Sequence, residues 1–256
     1  MLAFLGDFLP CRDDIRGKYV EPFVGGGAVF FYVQPVEAIL SDSNAELIDV
    51  YRGIGDDPVG VWERYKAFGS TKEEYHRVRS LSAAHLSLSE RAARSLYLNR
   101  TCFKGNWRHN ARGEFNIGYG GESRRWVITR DCLVAVSRAL GSTEILCTDF
   151  EAVIDRCGEG DFLYIDPPYR PGKKELMNDH YAWKHFTFAD HERLAGALRR
   201  CVGRGATWCM TTSGHPDILS LFRGFQVLEI PPRGRERISS GEVFIWVMEA
   251  GDAEVL

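Results

Sequence analysis

"FLYIDPPYR", residues Phe162–Arg170, carries an apolar run straight into an aspartate, two prolines and a tyrosine. Proline donates no hydrogen bond to a sheet ladder and fixes its own φ, so a buried strand must end where the prolines begin. Asp166 is therefore expected at the carboxyl end of a strand, with Pro167, Pro168 and Tyr169 in the turn behind it. In open α/β sheets, ligands bind in the crevice outside the carboxyl ends of the strands. The fold reading turns on whether the rest of the chain supplies such a sheet.

Six further runs have the short, apolar, β-rich character of buried strands. They are "YVEPF" (19–23), "AILSD" (38–42), "EILCTD" (144–149), "ATWCMTTS" (206–213), "FQVLEI" (225–230) and "EVFIWVM" (242–248). Helical patterns separate several of them: "NAELIDVYRGI", "DHERLAGALRRCV" with Leu194, Leu198 and Val202 along one face, and "HPDILSLF". This alternation predicts a Rossmann-like open α/β sheet, mostly parallel. The last two strands are joined without a helix, which predicts an antiparallel terminal pair. Residues 55–140 interrupt the alternation with "DPVGVWERYKAF", "TKEEYHRVRSL" and "LSERAARSLYLNR", all helical in pattern. Thr71 followed by Glu74 reads as a capping box. Residues 55–140 are thus expected as an inserted helical domain, and residues 1–54 and 141–256 as the body that holds the sheet.

At 256 residues and 45% hydrophobic content, the chain can bury a sizeable core. Its apolar runs are too short to span a membrane, and "MLAFLGDFLP" lacks the marks of a signal peptide. Seven scattered cysteines without a C-x-x-C pair suggest neither a disulfide framework nor a zinc site; no metal is expected, and a reduced, cytoplasmic compartment fits. The net charge of −3 is uneven: Arg91 to Arg130 contains nine basic and two acidic residues, a net of +7, leaving −10 for the remainder. A charge run can be merely a solvated face; this asymmetry also suits a phosphate-seeking segment on an acidic body.

"YVEPFVGGGAVFF" (19–31) reads as strand, glycine turn and helix start, where glycines let backbone approach a ligand. Phe30 stands where the dinucleotide fingerprint needs glycine, and no Gly-Lys-Ser/Thr follows, so a diphosphate is not required. Asp42, closing "ILSDSN", is placed to bond two ribose hydroxyls. Asp149 and Phe150 in "CTDFEAVI" could bond and stack an adenine, or Asp149 could simply cap the next helix. Asp166 can accept one hydrogen of an amine conjugated to an aromatic ring, and the Pro167 carbonyl the other. Those bonds stabilise positive charge developing on the nitrogen as it attacks an electrophile. Tyr169 offers the base a stacking face.

"EPFVGGGAVFF", "SDSNAELI", "YLNRTCFKGNWRHNARGEFNIGYG" and "IDPPY", in this order, resemble the Dam-type DNA adenine N6-methyltransferases. D-P-P-Y is shared across amino-methyltransferases; the R-G-E-F-N stretch (112–116) is more specific. The resemblance implies a class I methyltransferase sheet, S-adenosylmethionine as donor, double-stranded DNA as partner and a flipped-out target adenine. It implies a catalytic role for Asp166, Pro167, Pro168 and Tyr169. It implies donor binding by Glu21, Phe23, Gly25, Gly27 and Asp42, to which the residue reading adds Asp149, Phe150 and Asp166 as candidates. It implies DNA contact by Phe103 and Arg108, with Lys104, Arg112, Arg124 and Arg125 as further basic candidates. "HYAWKHFTFADHERLA" (180–195) resembles the loop that closes over the base, with Tyr181 and Phe186 as wall residues or as members of an aromatic core. Lys104 stands where the family usually has Asn, which bears on the target sequence. Family members also begin with a W-x-G-G-K segment that helps hold the donor's methionine end; "MLAFLGDFLP" reads as falling after it, so weaker donor binding is expected. A cognate restriction endonuclease would act on the same DNA site without binding the chain. The alternatives are an amino-methyltransferase acting on RNA or protein glutamine, where Asn more often replaces Asp166, and a catalytically weakened DNA-binding relative.

Overall fold

The computed structural model describes residues 2–110, 114–121, 127–168, 186–230 and 242–247. All seven expected strands are present: β1 (Tyr19–Glu21), β2 (Ala38–Asp42), β3 (Thr143–Cys147), β4 (Phe162–Ile165), β5 (Thr207–Ser213), β6 (Gln226–Glu229) and β7 (Glu242–Trp246). They form one sheet in the order β3-β2-β1-β4-β5-β7-β6. Strands β1 to β5 pair in parallel. β7 runs antiparallel to both β5 and β6, and lies between them. This is the class I methyltransferase sheet. Its strand order reverses between β1 and β4, the switch point where ligands of such sheets bind.

Alternation along the strands separates two faces. Val20, Leu163, Ile165, Trp208, Met210 and Ile245 turn to one side and share a core with α8 (Phe150–Ile154), α9 (Phe188–Val202) and α10 (Pro216–Leu221). Leu194 and Leu198 of α9 are fully buried there, while Val202 is only partly covered. α9 starts where Thr187 and Asp190 form a reciprocal capping box, which satisfies donors that a helix N-terminus otherwise leaves unpaired. On the opposite face lie Tyr19, Glu21, Tyr164 and Thr211, all buried. Two helices of the same compact unit, α1 (Leu2–Leu5) and α2 (Ala28–Val33), pack against each other.

The described residues divide into two compact units, the second running from Asn44 to Gly141. The division falls after Ser43 rather than after residue 54, because α3 (Ala45–Asp56) packs on α6 (Leu88–Thr101) and α7 (Arg130–Ala139). α4 (Pro58–Ala67) and α5 (Lys72–Ser80) complete a core around Val61, Tyr65, Tyr75, Tyr97 and Leu98. The box expected at Thr71 is half-formed. Thr71 accepts from the Glu74 N–H, but the Glu74 carboxylate turns to Arg77 at 2.7 Å. A complete box forms instead at Ser87 and Glu90. The insert is also not helical throughout. Between α6 and α7 the chain folds back on itself, with bridges pairing Cys102 to Tyr119 and His109 to Phe115. No described helix is long and apolar enough to cross a membrane.

Candidate active site

β1 ends in a turn that only glycine fits well. Gly25 and Gly27 have φ of +47° and +63°, the left-handed region that costs L side chains roughly 1–2 kcal/mol. A Cβ at Gly25 or Gly26 would meet nothing within 4 Å, so the turn presents bare backbone to open space. The turn is tied to β2: the Val24 N–H donates to the Ser41 carbonyl at 2.8 Å, and the Gly25 N–H to the Asp42 carboxylate at 3.3 Å. Gly27 is the N-cap of α2 and has no side chain to offer it. Glu21 takes over: its Oε1 accepts the Phe30 N–H at 2.7 Å and the Tyr19 hydroxyl at 2.5 Å. Glu21 is 2% exposed, and burial pushes its carboxyl up to about 8. The bonds from Tyr19 and Phe30 oppose that rise, and the charge of Asp166 adds to it.

Asp166 follows β4 directly and faces solvent, as does Pro168, while Pro167 is buried. Its Oδ1 accepts the Thr211 hydroxyl of β5 at 2.8 Å. Thr211 in turn lies 3.2 Å from the Tyr164 hydroxyl. Glu21, Gly25, Gly27, Asp42 and Asp166 thus gather at the carboxyl ends of three adjacent strands, β2, β1 and β4.

Phe23 and Phe150 stack with centroids 5.2 Å apart, and Phe186 closes on both at 5.6 Å. Phe186 therefore sits in an aromatic cluster, which also takes in His191 at 4.7 Å. Asp149 caps α8 through the Glu151 N–H at 3.0 Å and pairs with Arg193 at 2.7 Å. The Arg193 guanidinium also lies over the Phe150 ring, 4.8 Å from its centroid. Phe150 is 5% exposed, so its ring surface is already largely taken up.

In the second unit Phe103 is half-exposed, with the Lys104 ammonium 5.5 Å from its ring centre. Lys104 has φ +58°, a conformation Asn tolerates better than Lys. The Arg108 Nε donates to the Asn116 amide oxygen at 2.8 Å. Two residues counted in the basic segment are held internally: Arg91 pairs with Asp49 at 2.7 Å, and buried Arg94 with Glu46 at 3.3 Å. Burial would raise the Glu46 carboxyl, but His109 and Arg94 together hold it below its usual range. Arg112, Arg124, Arg125, Tyr169 and Tyr181 lie outside the described residues. Among the described residues no group of His, Cys, Asp and Glu is arranged to hold a metal ion.

Thr211, Tyr164 and Arg193 were missed in the sequence. "MTTS" reads only as strand, and Arg193 only as one of several charges on an amphipathic helix.

The sequence profile of the D12 class N6 adenine-specific DNA methyltransferases matches residues 2–232. The chain is 37% identical over 216 residues to a DNA N-6-adenine-methyltransferase of Escherichia phage P1, covering 82% of this chain and 28% of the phage protein. It is 34% identical over 230 residues to a type II methyltransferase of Methanocaldococcus jannaschii, covering 83% of this chain and 80% of that protein. Against a type II methyltransferase of Lactococcus lactis subsp. cremoris it is 31% identical over 220 residues, 83% of this chain and 78% of the other.

Proposed function

We propose that this chain, which belongs to the D12 class of N6 adenine-specific DNA methyltransferases, methylates the exocyclic amine of an adenine flipped out of duplex DNA. The observation that carries the reading is the juxtaposition of Asp166 at the end of β4 with the open glycine turn at the end of β1, across the switch point of the sheet. The residues present fit S-adenosylmethionine. Bare backbone at Gly25 and Gly26 admits a nucleoside, and Asp42 offers a carboxylate beside it. The donor, when bound, supplies an electrophilic methyl group.

Asp42 would hold the ribose hydroxyls, and the half-exposed Asp149 would accept a hydrogen bond from the purine. Glu21 would act from beneath, holding α2 and the turn in place. Asp166 and the Pro167 carbonyl would accept the two hydrogens of the target amine. They direct its lone pair outward and stabilise the positive charge that grows on nitrogen during attack. The base must leave the duplex to reach them. Phe103, Lys104 and Arg108 are the described residues proposed to meet DNA. The compartment proposed is the cytoplasm; all seven cysteines are free thiols. The relatives named as type II methyltransferases support a restriction endonuclease of the same site specificity as a functional counterpart.

Tritiated methyl transfer from S-adenosylmethionine to DNA free of adenine methylation tests the reading. The wild-type chain should label adenine N6. Asp166→Ala should lower turnover by roughly 10²-fold or more, because an acceptor aimed at developing charge is lost. A wild-type chain that labels no adenine, or an Asp166→Ala variant with full turnover, overturns it.

A further inference from the structure

We infer that Thr211 is a positioning residue for Asp166, backed by Tyr164 in a hydrogen-bond relay across β4 and β5. The inference rests on the proposed role of Asp166 as acceptor of the target amine. Parallel pairing sets Tyr164 beside Cys209 and Ile165 beside Met210. One step further brings Asp166 level with Thr211, and residues two apart share a face, so Tyr164, Asp166, Cys209 and Thr211 lie on one side of the sheet. The Thr211 Oγ1 is 2.8 Å from the Asp166 Oδ1 and 3.2 Å from the Tyr164 hydroxyl.

An ionised carboxylate only accepts, so Thr211 must donate to Asp166. Its single hydrogen is then committed, and Tyr164 must donate to Thr211. The direction of the relay follows from the charge at its end. Thr211 is fully buried and Tyr164 is 6% exposed, so water has little access to replace either donor. A β-branched side chain in a strand is stiff about χ1, which makes the hydroxyl a fixed point. One oxygen of Asp166 is thus held from below, and the plane of the carboxylate is set while the group itself faces solvent. Orientation of this kind governs reactivity steeply: misplacement by about 1 Å can cost roughly 10²-fold.

The test compares the wild type with Thr211→Val, Thr211→Ser and Tyr164→Phe. It measures kcat for DNA methylation, the Kd for S-adenosylmethionine and the melting temperature. Thr211→Val keeps shape and branching but removes the donor; kcat should fall by about 10-fold or more with donor Kd within about twofold. Thr211→Ser should recover most of the turnover. Tyr164→Phe should lower kcat less, and adding it to Thr211→Val should cost nothing more, since it acts through Thr211. Should Thr211→Val fail to fold, Tyr164→Phe decides: lowered kcat with unchanged donor Kd supports the relay, and unchanged kcat overturns it. A folded Thr211→Val enzyme with wild-type kcat, or a Thr211→Ser enzyme as slow as Thr211→Val, overturns the inference alone. A wild type that transfers no methyl group to adenine overturns the proposed function and this inference together.

Discussion

Two carboxyl groups at the end of β1 and β4 are treated very differently by their surroundings. Glu21 is sealed under the glycine turn, whereas Asp166 faces solvent. The groups acting on Glu21 are the hydroxyl of Tyr19, the N–H of Phe30 and the charge of Asp166. With burial dominating, the folded chain holds a proton on Glu21 up to about pH 8, while the unfolded chain releases it near the ordinary 4.5. The folded state therefore binds more protons across that window, and stability falls as pH rises through it. Glu21→Gln removes the titration but keeps an acceptor for Phe30. Its unfolding free energy relative to wild type, measured by denaturant titration, should climb from pH 5 to pH 8, with a slope up to about 1.4 kcal/mol per pH unit. A difference that ignores pH would show that Glu21 is ionised in the folded protein. Asp42 is the partly exposed counterpart on β2. Asp42→Ala should weaken S-adenosylmethionine binding in calorimetry by roughly 10-fold or more, the size expected when hydrogen bonds to a charged group are lost. DNA affinity should stay near wild type. The role read for Asp42 came from a strand end behind a glycine turn, which is legible in sequence; that for Glu21 came from the family resemblance. That the Glu21 carboxyl turns inward to Phe30 was not legible, because only the three-dimensional path of α2 brings that N–H back over β1.

The strands were legible because each apolar run is short and bounded by breaks, with Pro167 the clearest stop. The helices were legible from their spacing, but spacing says that a face is buried without saying against what. α3 buries Val50 and Ile54 in a core that it shares with α6, a partner its spacing alone does not name. The fold-back at 102–119 escaped notice because its bridges are isolated and its one alternating run, Phe115, Ile117 and Tyr119, is short and broken by Gly118. At α9 sequence and structure agree, and the cap can be weighed. Thr187 accepts the Asp190 N–H at 3.3 Å, and Asp190 returns a bond to the Thr187 N–H at 2.8 Å. Arg193 and Arg200, one and three turns on, tie α9 to α8 through Glu151 and Asp155. Those pairs are largely exposed and each contributes little. The cap contributes more: Thr187→Ala should cost ~1 kcal/mol, or about 2–4 °C in melting temperature for a chain of this size. A scan of the two proteins by circular dichroism checks this, and identical transitions would assign the helix start to packing alone.

For the molecule as a whole, the charge asymmetry survives in reduced form. The guanidinium groups of Arg91 and Arg94 already answer Asp49 and Glu46, so the phosphate-seeking charge of the second unit is smaller than composition suggests. DNA affinity should fall with salt, with a slope of roughly −0.9 per phosphate contact. Lys104→Ala should reduce that slope by about one. Arg91→Ala should leave it unchanged although the same formal charge is removed. Fluorescence anisotropy over a range of salt concentrations separates the two, and equal slope changes would mean that Arg91 meets DNA after all. The insertion point has a further consequence for how the chain comes into being. Residues 44–141 form one unbroken stretch of the second unit, and its helices find their partners within that stretch. β1, by contrast, lies between β2 and β4, so its second neighbour emerges from the ribosome only after the whole insert has been made. At roughly 5–20 residues per second the first two strands wait several seconds with an edge unpaired, while local helical contacts close in milliseconds or less. The insert is in effect the first-born domain, and the sheet whose first two strands precede it in sequence is completed last.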